Sequence, residues 1–187
     1  MFGRLFRRDS EAESIASGLY GAVVAQARNP VLYGDFGVAD TVTGRFEMVT
    51  LHLILVLDRL ERQEDGDRAL GQRIFDLYCA DMDNSLRELG FGDLGVPKRM
   101  KKMAEAFYGR AAAYREALAA GDAEGLGTAI ARNVIPAGGA ASALAQYCLA
   151  SATALALTPV AQLRSGGMHF ADVAAYAPSR ASEEAVA

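Results

Sequence analysis

We expect the fold of this chain to be built around DTVTGRFEMVTLHLILVLDRLER, residues 40–62. It opens on Asp40, Thr41 and Thr43, whose side chains can accept hydrogen bonds from the free backbone N–H groups of a helix start. Apolar residues then recur at three- and four-residue steps, which predicts an α-helix. Because residues 48–57 are apolar on nearly every side, we expect the other helices to pack around this one.

The chain as a whole indicates an all-α fold. Its 187 residues, 51% of them hydrophobic, are enough for one domain with a sizeable core. Ser10 and Glu13 form a capping box, Pro30 ends the first helix, Gly90 ends the third and Pro97 begins the fourth. We therefore predict a single compact helical domain of about six helices around the central apolar helix. The predicted helices cover residues 10–29, 40–62, 67–89, 97–120, 122–133 and 140–157.

The two ends of the chain are predicted to lie outside this helical domain, which spans residues 10–170. Residues 1–9 form a basic tail with three arginines before its first acid. One interpretation is a frayed end, and the other is a short anchor for an anionic membrane or ribosome surface. Residues 171–187 are predicted to be a flexible tail. Inside the domain, residues 31–40 are predicted to be a loop because glycine interrupts them.

Composition argues against several functions. The formal net charge of −4 argues against a general nucleic-acid binder, and we expect no specific nucleic-acid sequence as a partner. Cys79 and Cys148 lie far apart in apolar runs, which favours buried thiols over a disulfide or a metal site. His52 and His169 are the only histidines, and His52 is interpreted as a core histidine. We therefore expect no metal, no cofactor and no enzymatic activity.

One group of charges breaks a local rule. Four cations crowd the first turns of the predicted fourth helix, where the positive end of the helix dipole makes them unfavourable. Features that break a local rule often mark function, and free N–H groups beside cations suit an anion. The alternative is that Asp93, or acids elsewhere, neutralise them. The candidate residues for binding a partner or an anion are Lys98, Arg99, Lys101, Lys102 and Arg110.

Two apolar features of the sequence can each be interpreted in two ways. The uncharged stretch at residues 133–163 could enter a membrane, but its alanines and polar side chains contribute little to insertion, which favours a buried core helix. Several methionines could form an adaptable apolar groove for a client helix, or could simply belong to the core. These methionines are Met48, Met82, Met100 and Met103.

A familiar pattern runs through residues 33–147. Its two longest parts are YGDFGVADTVTGRFEMVTLHLILVLDRL, residues 33–60, and IFDLYCADMDNSLRELGFGDLGVPKRMKKMAEAFYGRAAAY, residues 74–114. Its most specific residues are Asp40, Thr41, Gly44, Arg45, Phe46, Glu47, Leu51, His52, Asp83, Leu86, Arg87, Glu88, Gly90, Gly92, Asp93, Lys98, Lys101, Lys102, Phe107, Tyr108, Gly109, Arg110, Arg132 and Asn133. In these residues and their order the chain resembles the ubiquinol–cytochrome c chaperone family. Pro97 departs from the pattern, because a small flexible residue is expected there.

The resemblance implies an assembly factor rather than a catalyst. Mitochondrial members of this family are helical proteins that act with a small partner near the ribosomal tunnel exit. They hold newly made cytochrome b until it enters ubiquinol–cytochrome c reductase. The chain resembles a bacterial relative of these proteins, so the implied location is the cytoplasm or the inner face of the inner membrane. The implied partners are cytochrome b or another subunit of that complex, a small partner protein, and a ribosome or anionic membrane surface.

A second hypothesis comes from a different functional class. The chain would be a peripheral membrane or ribosome-associated adaptor with no client of its own. The basic N-terminal tail and the cations of the predicted fourth helix would hold it to an anionic surface.

Overall fold

The computed structural model of the protein describes residues 2–62, 66–135 and 139–178. These residues form eight α-helices and one 3₁₀ turn, with no β-strand among them, which confirms the all-α prediction. The six predicted helices are all present, and two short helices and the 3₁₀ turn join them. The elements are α1 (Phe2–Ala27), α2 (Pro30–Gly34), α3 (Val42–Arg62), α4 (Arg68–Glu88), α5 (Val96–Ala120), α6 (Ala123–Ala131), α7 (Gly139–Leu157), α8 (Val160–Leu163) and the 3₁₀ turn Val173–Tyr176.

Helix α3 is the centre of the domain, as its apolar sequence predicts. It packs against α1, α4, α5 and α7, and every side chain from residue 47 to residue 57 is buried. Arg59, near the charged end of this helix, is also buried. Its Nε donates to the Leu155 carbonyl at 3.0 Å and its Nη2 donates to the Thr158 carbonyl at 2.9 Å. A cation is favourable there because carbonyl groups are left free at the C-terminal end of a helix, here α7.

The start of α3 follows the predicted chemistry. The Thr41 hydroxyl oxygen accepts a hydrogen bond from the Gly44 N–H at 3.1 Å and so caps the helix. Asp40 and Arg45 form an exposed ion pair at 2.6 Å, and the Arg45 hydrogen bond lowers the pKa of Asp40. Gly44 is required by packing, since a Cβ at this position would overlap the Ala39 carbonyl oxygen.

The end of α4 is also the predicted one. Gly90 has a φ of 86°, which is the left-handed region that favours glycine. The Gly90 N–H donates to the Arg87 carbonyl at 2.9 Å, and the Phe91 N–H donates to the Leu86 carbonyl at 3.1 Å. This pair of bonds is the Schellman motif, so the helix ends where the sequence placed its stop.

Three predicted boundaries differ from the structure. The first helix does not begin at Ser10, because α1 already starts at Phe2 and no proline interrupts residues 2–9. The predicted loop contains a helix, since Pro30–Gly34 forms α2 with the Asn29 side chain accepting from the Val31 N–H at 3.1 Å. Residues 171–178, expected in a flexible tail, pack onto α7, and Val173 is buried. Residues 179–187 lie outside the described residues.

Helix α7 is the apolar element for which a membrane role was considered. Within the described residues, its segment 140–157 is the one stretch long and apolar enough to span a bilayer, by length and composition alone. A single such helix is weak evidence, because core helices pass the same test. In the structure α7 packs on α3 and α6, and its Leu144, Tyr147 and Cys148 side chains are buried. The helix therefore has the core-facing side that the sequence favoured.

Candidate functional site

The four predicted surface cations lie together at the start of α5. Lys98, Arg99, Lys101 and Lys102 are all exposed, and the residue before the helix, Gly95, offers no side-chain cap. The three lysines among them are the only lysines in the whole sequence. We name this group the basic turn.

The proposed neutralisation of the basic turn by Asp93 is not seen. The Asp93 carboxylate accepts from Arg87 at 2.6 Å, and Arg87 also binds Asp83 at 2.6 Å. Lys101 lies 3.9 Å from Glu105, but both side chains are exposed and such pairs contribute little. Within the described ranges, no acid lies at ion-pair distance from Lys98 or Lys102. The basic turn therefore keeps most of its positive charge in solvent.

Exposed apolar side chains accompany the basic turn. Leu94 is 97% exposed and Leu89 is 53% exposed, and both belong to the connector between α4 and α5. The Arg99 guanidinium stacks on the Phe91 ring of the same connector, 3.6 Å from its centroid. The α4–α5 connector and the basic turn thus present both exposed leucine side chains and lysine charges.

Arg110, the fifth predicted cation of this site, lies elsewhere. It is separated from the basic turn by about three helical turns and faces α3, where its Nη2 donates to Glu47 Oε1 at 2.6 Å. The two side chains are 15% and 6% exposed, so this is a buried ion pair rather than a surface charge. Burial raises the pKa of Glu47, and the Arg110 charge opposes that shift. Arg110 therefore lies apart from the basic turn, and its role as a candidate for binding a partner or an anion stays a prediction.

Near this pair, buried polar atoms are left without partners. Glu47 Oε2, Arg110 Nε and the Tyr114 hydroxyl make no hydrogen bond within the described residues. Arg110 and Tyr114 also line a cavity of about 390 Å³ between α5 and α6. The exposed side chains of Arg132 and Asn133 line the same cavity. The fold thus brings together Arg110, Arg132 and Asn133, which the sequence had identified separately.

His52 is part of a buried chain of hydrogen bonds. Its Nδ1 donates to the Met48 carbonyl at 2.7 Å, and its Nε2 accepts from the Tyr147 hydroxyl at 2.9 Å. The Tyr147 oxygen in turn accepts from Gln26 Nε2 at 2.9 Å. Burial lowers the pKa of His52 to about 4, so the imidazole is neutral at pH 7. This agrees with a core histidine, although the sequence did not reveal partners from helices α1 and α7.

Some of the other family-pattern residues pack against neighbouring side chains, and others are exposed to solvent. Phe46 packs on Tyr78 at 5.9 Å between ring centroids, and Tyr108, 62% exposed, packs on Phe107 at 5.7 Å. Glu88 and Gly92 are exposed beside the α4–α5 connector. Of the four methionines considered for a client groove, Met48 and Met82 are buried, whereas Met100 and Met103 are partly buried against the core.

Side chains that could bind a metal ion do not cluster in the part of the chain that the structure describes. No group of three or more histidine, cysteine or acidic side chains that could hold a metal ion is found among residues 2–62, 66–135 and 139–178. Cys79 and Cys148 are free thiols, and burial raises the pKa of both. The arrangement is suited to binding through charge and apolar contact.

Comparison with known proteins gives two matches. A family model described as ubiquinol-cytochrome C chaperone matches residues 34–170. The crystal structure of the Cbp3 homolog from Brucella abortus is 43% identical in sequence, with a TM-score of 0.83, and the match covers 93% of this chain and 98% of that chain. A search of curated proteins gave no significant match.

Proposed function

Since the chain belongs to the ubiquinol–cytochrome c chaperone family, we propose that it is a non-enzymatic assembly factor for ubiquinol–cytochrome c reductase. Its client would be newly made cytochrome b or a related subunit. The observation that carries this proposal is the family match over residues 34–170, together with a fold shared along nearly the whole chain. A small partner protein would act with it, as the family resemblance implies.

The surface of the protein is compatible with a binding role. Leu94, Leu89 and Tyr108 leave apolar area in solvent, and such area is available to an apolar client segment. Met100 lies among the residues of the basic turn and Met103 directly follows them on α5; both are partly buried, and methionine side chains adapt readily to different partners. Met48 and Met82 are buried in the core, so the client groove would use only the two α5 methionines.

Deleting the gene tests the assembly role. We expect the level of assembled ubiquinol–cytochrome c reductase to fall under respiratory growth, while the cytochrome b transcript stays unchanged. Pull-down of the tagged chain from cells translating cytochrome b should recover that subunit. Normal levels of the assembled complex in the deletion strain would refute the proposal.

A second candidate function is a peripheral adaptor on an anionic surface, with no client of its own. The observation that favours it is the α4–α5 connector, where the exposed Leu94 stands four residues before Lys98. Leucine can enter the lipid interface while lysines meet anionic headgroups, each lysine contributing about 1 kcal/mol near such a surface. The location would be the cytoplasm, at the inner face of the inner membrane, or the ribosome.

Co-sedimentation separates the two candidates. The wild type should bind vesicles containing phosphatidylglycerol but not vesicles of phosphatidylcholine alone, and Leu94→Ser should weaken that binding. Leu157→Ser is the matched control, because Leu157 is 79% exposed on another helix, α7, and belongs to no cationic group. If the two leucine variants bind alike, the α4–α5 connector is not the membrane contact; binding to purified ribosomes instead would favour the ribosome surface.

A further inference from the structure

The cavity between α5 and α6 has the features of a binding site rather than a packing defect. Its walls are small side chains, Ala106, Gly109, Ala113 and Ala129, which leave about 390 Å³ of space. Polar groups converge on it from Arg110, Tyr114, Arg132 and Asn133. None of the described residues that line it is acidic.

Two of the lining side chains carry buried donors without a partner. Arg110 uses Nη2 for Glu47, but its Nε has no hydrogen bond, and neither has the hydroxyl of Tyr114, a residue 2% exposed. A buried donor that is left unbonded is costly, so native proteins usually give it an acceptor. A guest in the cavity that carries acceptor oxygens would supply one.

The charges of the side chains at the cavity restrict which ligands can bind there. The Glu47 carboxylate already offsets the charge of Arg110, so Arg132 is the surplus cation of the site. One carboxylate would balance that surplus, whereas the two charges of a phosphate dianion would exceed it. Guanidinium groups bind carboxylates in a two-bond geometry, and the Asn133 amide can donate as well.

We propose that this cavity binds the carboxylate of an acidic peptide segment, with Arg110, Tyr114, Arg132 and Asn133 as its donors. The small walls leave room for the aliphatic stem of a glutamate or aspartate side chain beside α5 and α6. The peptide would belong to a protein partner. The proposal does not depend on that partner being cytochrome b.

Titration of the ¹⁵N-labelled full-length chain tests the site. The probes are two capped peptides, acetyl-Ala-Glu-Ala-amide and acetyl-Ala-Gln-Ala-amide, which differ only in the carboxylate. The glutamate peptide should shift the amide resonances of Gly109, Ala129 and Arg132, and the glutamine peptide should bind about tenfold more weakly, since it loses a charge-assisted contact. Equal binding of the two peptides, or shifts at other residues, would overturn the proposal.

Single substitutions test which side chains donate hydrogen bonds to the peptide carboxylate. Arg132→Gln and Tyr114→Phe should each weaken binding of the glutamate peptide by about tenfold. Both should melt close to the wild type, because Arg132 is exposed and the Tyr114 hydroxyl has no partner to lose. Arg28→Gln is the control, an exposed arginine that does not line the cavity, and its binding should be unchanged. Unchanged affinity in Arg132→Gln would refute the site, and inorganic phosphate binding the same residues more tightly than the peptide would refute its assignment to a carboxylate.

Discussion

Helix α5 carries positive charge in two places with opposite surroundings. At its start, the basic turn extends four cations into solvent, and Asp93 is occupied by Arg87 rather than by the lysines. About three turns later, Arg110 lies inside the domain against Glu47 on α3. The residue types are similar, but one group of charges is hydrated and the other has been removed from water.

The two regions of α5 therefore affect different properties of the protein. Exposed charges are screened by salt and add little to stability, so the basic turn can change without loss of the fold and remains available to a partner. A buried ion pair has lost its hydration, and it is tolerated only while both partners are present. Substitutions should therefore affect stability in the interior and binding at the basic turn.

The largest effect should come from breaking the buried pair. Arg110→Met leaves Glu47 buried without its counter-charge, so we expect the free energy of unfolding to fall by about 3 kcal/mol. Urea denaturation monitored by circular dichroism measures the change. The double variant Glu47→Gln/Arg110→Met is the control and should recover part of the loss, because no charge then remains buried. A single variant as stable as the wild type would show that the pair does not hold α5 to α3.

Lowering the pH should destabilise the protein through His52, a second buried polar group. The pKa of His52 is lowered from 6.5 to about 4, so the unfolded chain binds a proton that the folded chain rejects within that interval. The free energy of unfolding should therefore be fully retained above pH 6.5 and should fall as the pH drops toward 4, by about 3 kcal/mol from this group. His52→Gln should lose this part of the pH dependence in denaturation at matched pH values. An identical slope in both proteins would contradict the assignment.

Removing the imidazole at neutral pH should have a smaller effect. His52→Ala leaves the Tyr147 hydroxyl and the Met48 carbonyl without their shared partner, at a cost of about 1–3 kcal/mol. The melting temperature, followed by calorimetry, should fall. His169→Ala is the matched control, since His169 is exposed and its substitution should leave the melting temperature close to that of the wild type. A stable His52→Ala protein that no longer supports complex assembly would make His52 a functional residue instead.

The smallest effect on stability should come from the basic turn. Replacing Lys98, Lys101 and Lys102 by glutamine should leave the free energy of unfolding unchanged or raise it by up to about 1 kcal/mol, because cations at a helix start are unfavourable. Binding to anionic vesicles or ribosomes should weaken in the same variant. Wild-type binding should also fall between low and physiological salt, where exposed charges are screened within about 8–10 Å. A loss of stability with unchanged binding would contradict the conclusion that the basic turn serves binding rather than stability.

Much of the fold could be predicted because local chemistry decides it. The Thr41 cap and the Schellman end at Gly90 depend on residues a few positions apart, so they are visible along the chain. The predicted start at Ser10 was wrong because a capping box specifies a helix start only where the preceding residues leave the helix, and here α1 continues back to Phe2. The cations of the basic turn were predicted as a group because they are close in sequence, whereas Arg110 lies further along the same helix, where it contacts Glu47 on α3.

The helical fold, the central position of α3 and the family pattern could be predicted from the sequence, because apolar periodicity, caps and motifs are local in the chain. The partners of the polar residues could be identified only in the folded protein. The contact of Glu47 with Arg110 spans 63 positions and that of His52 with Tyr147 spans 95. Whether a charged or polar side chain is hydrated or buried depends on such distant contacts, and burial sets both its energy and its role.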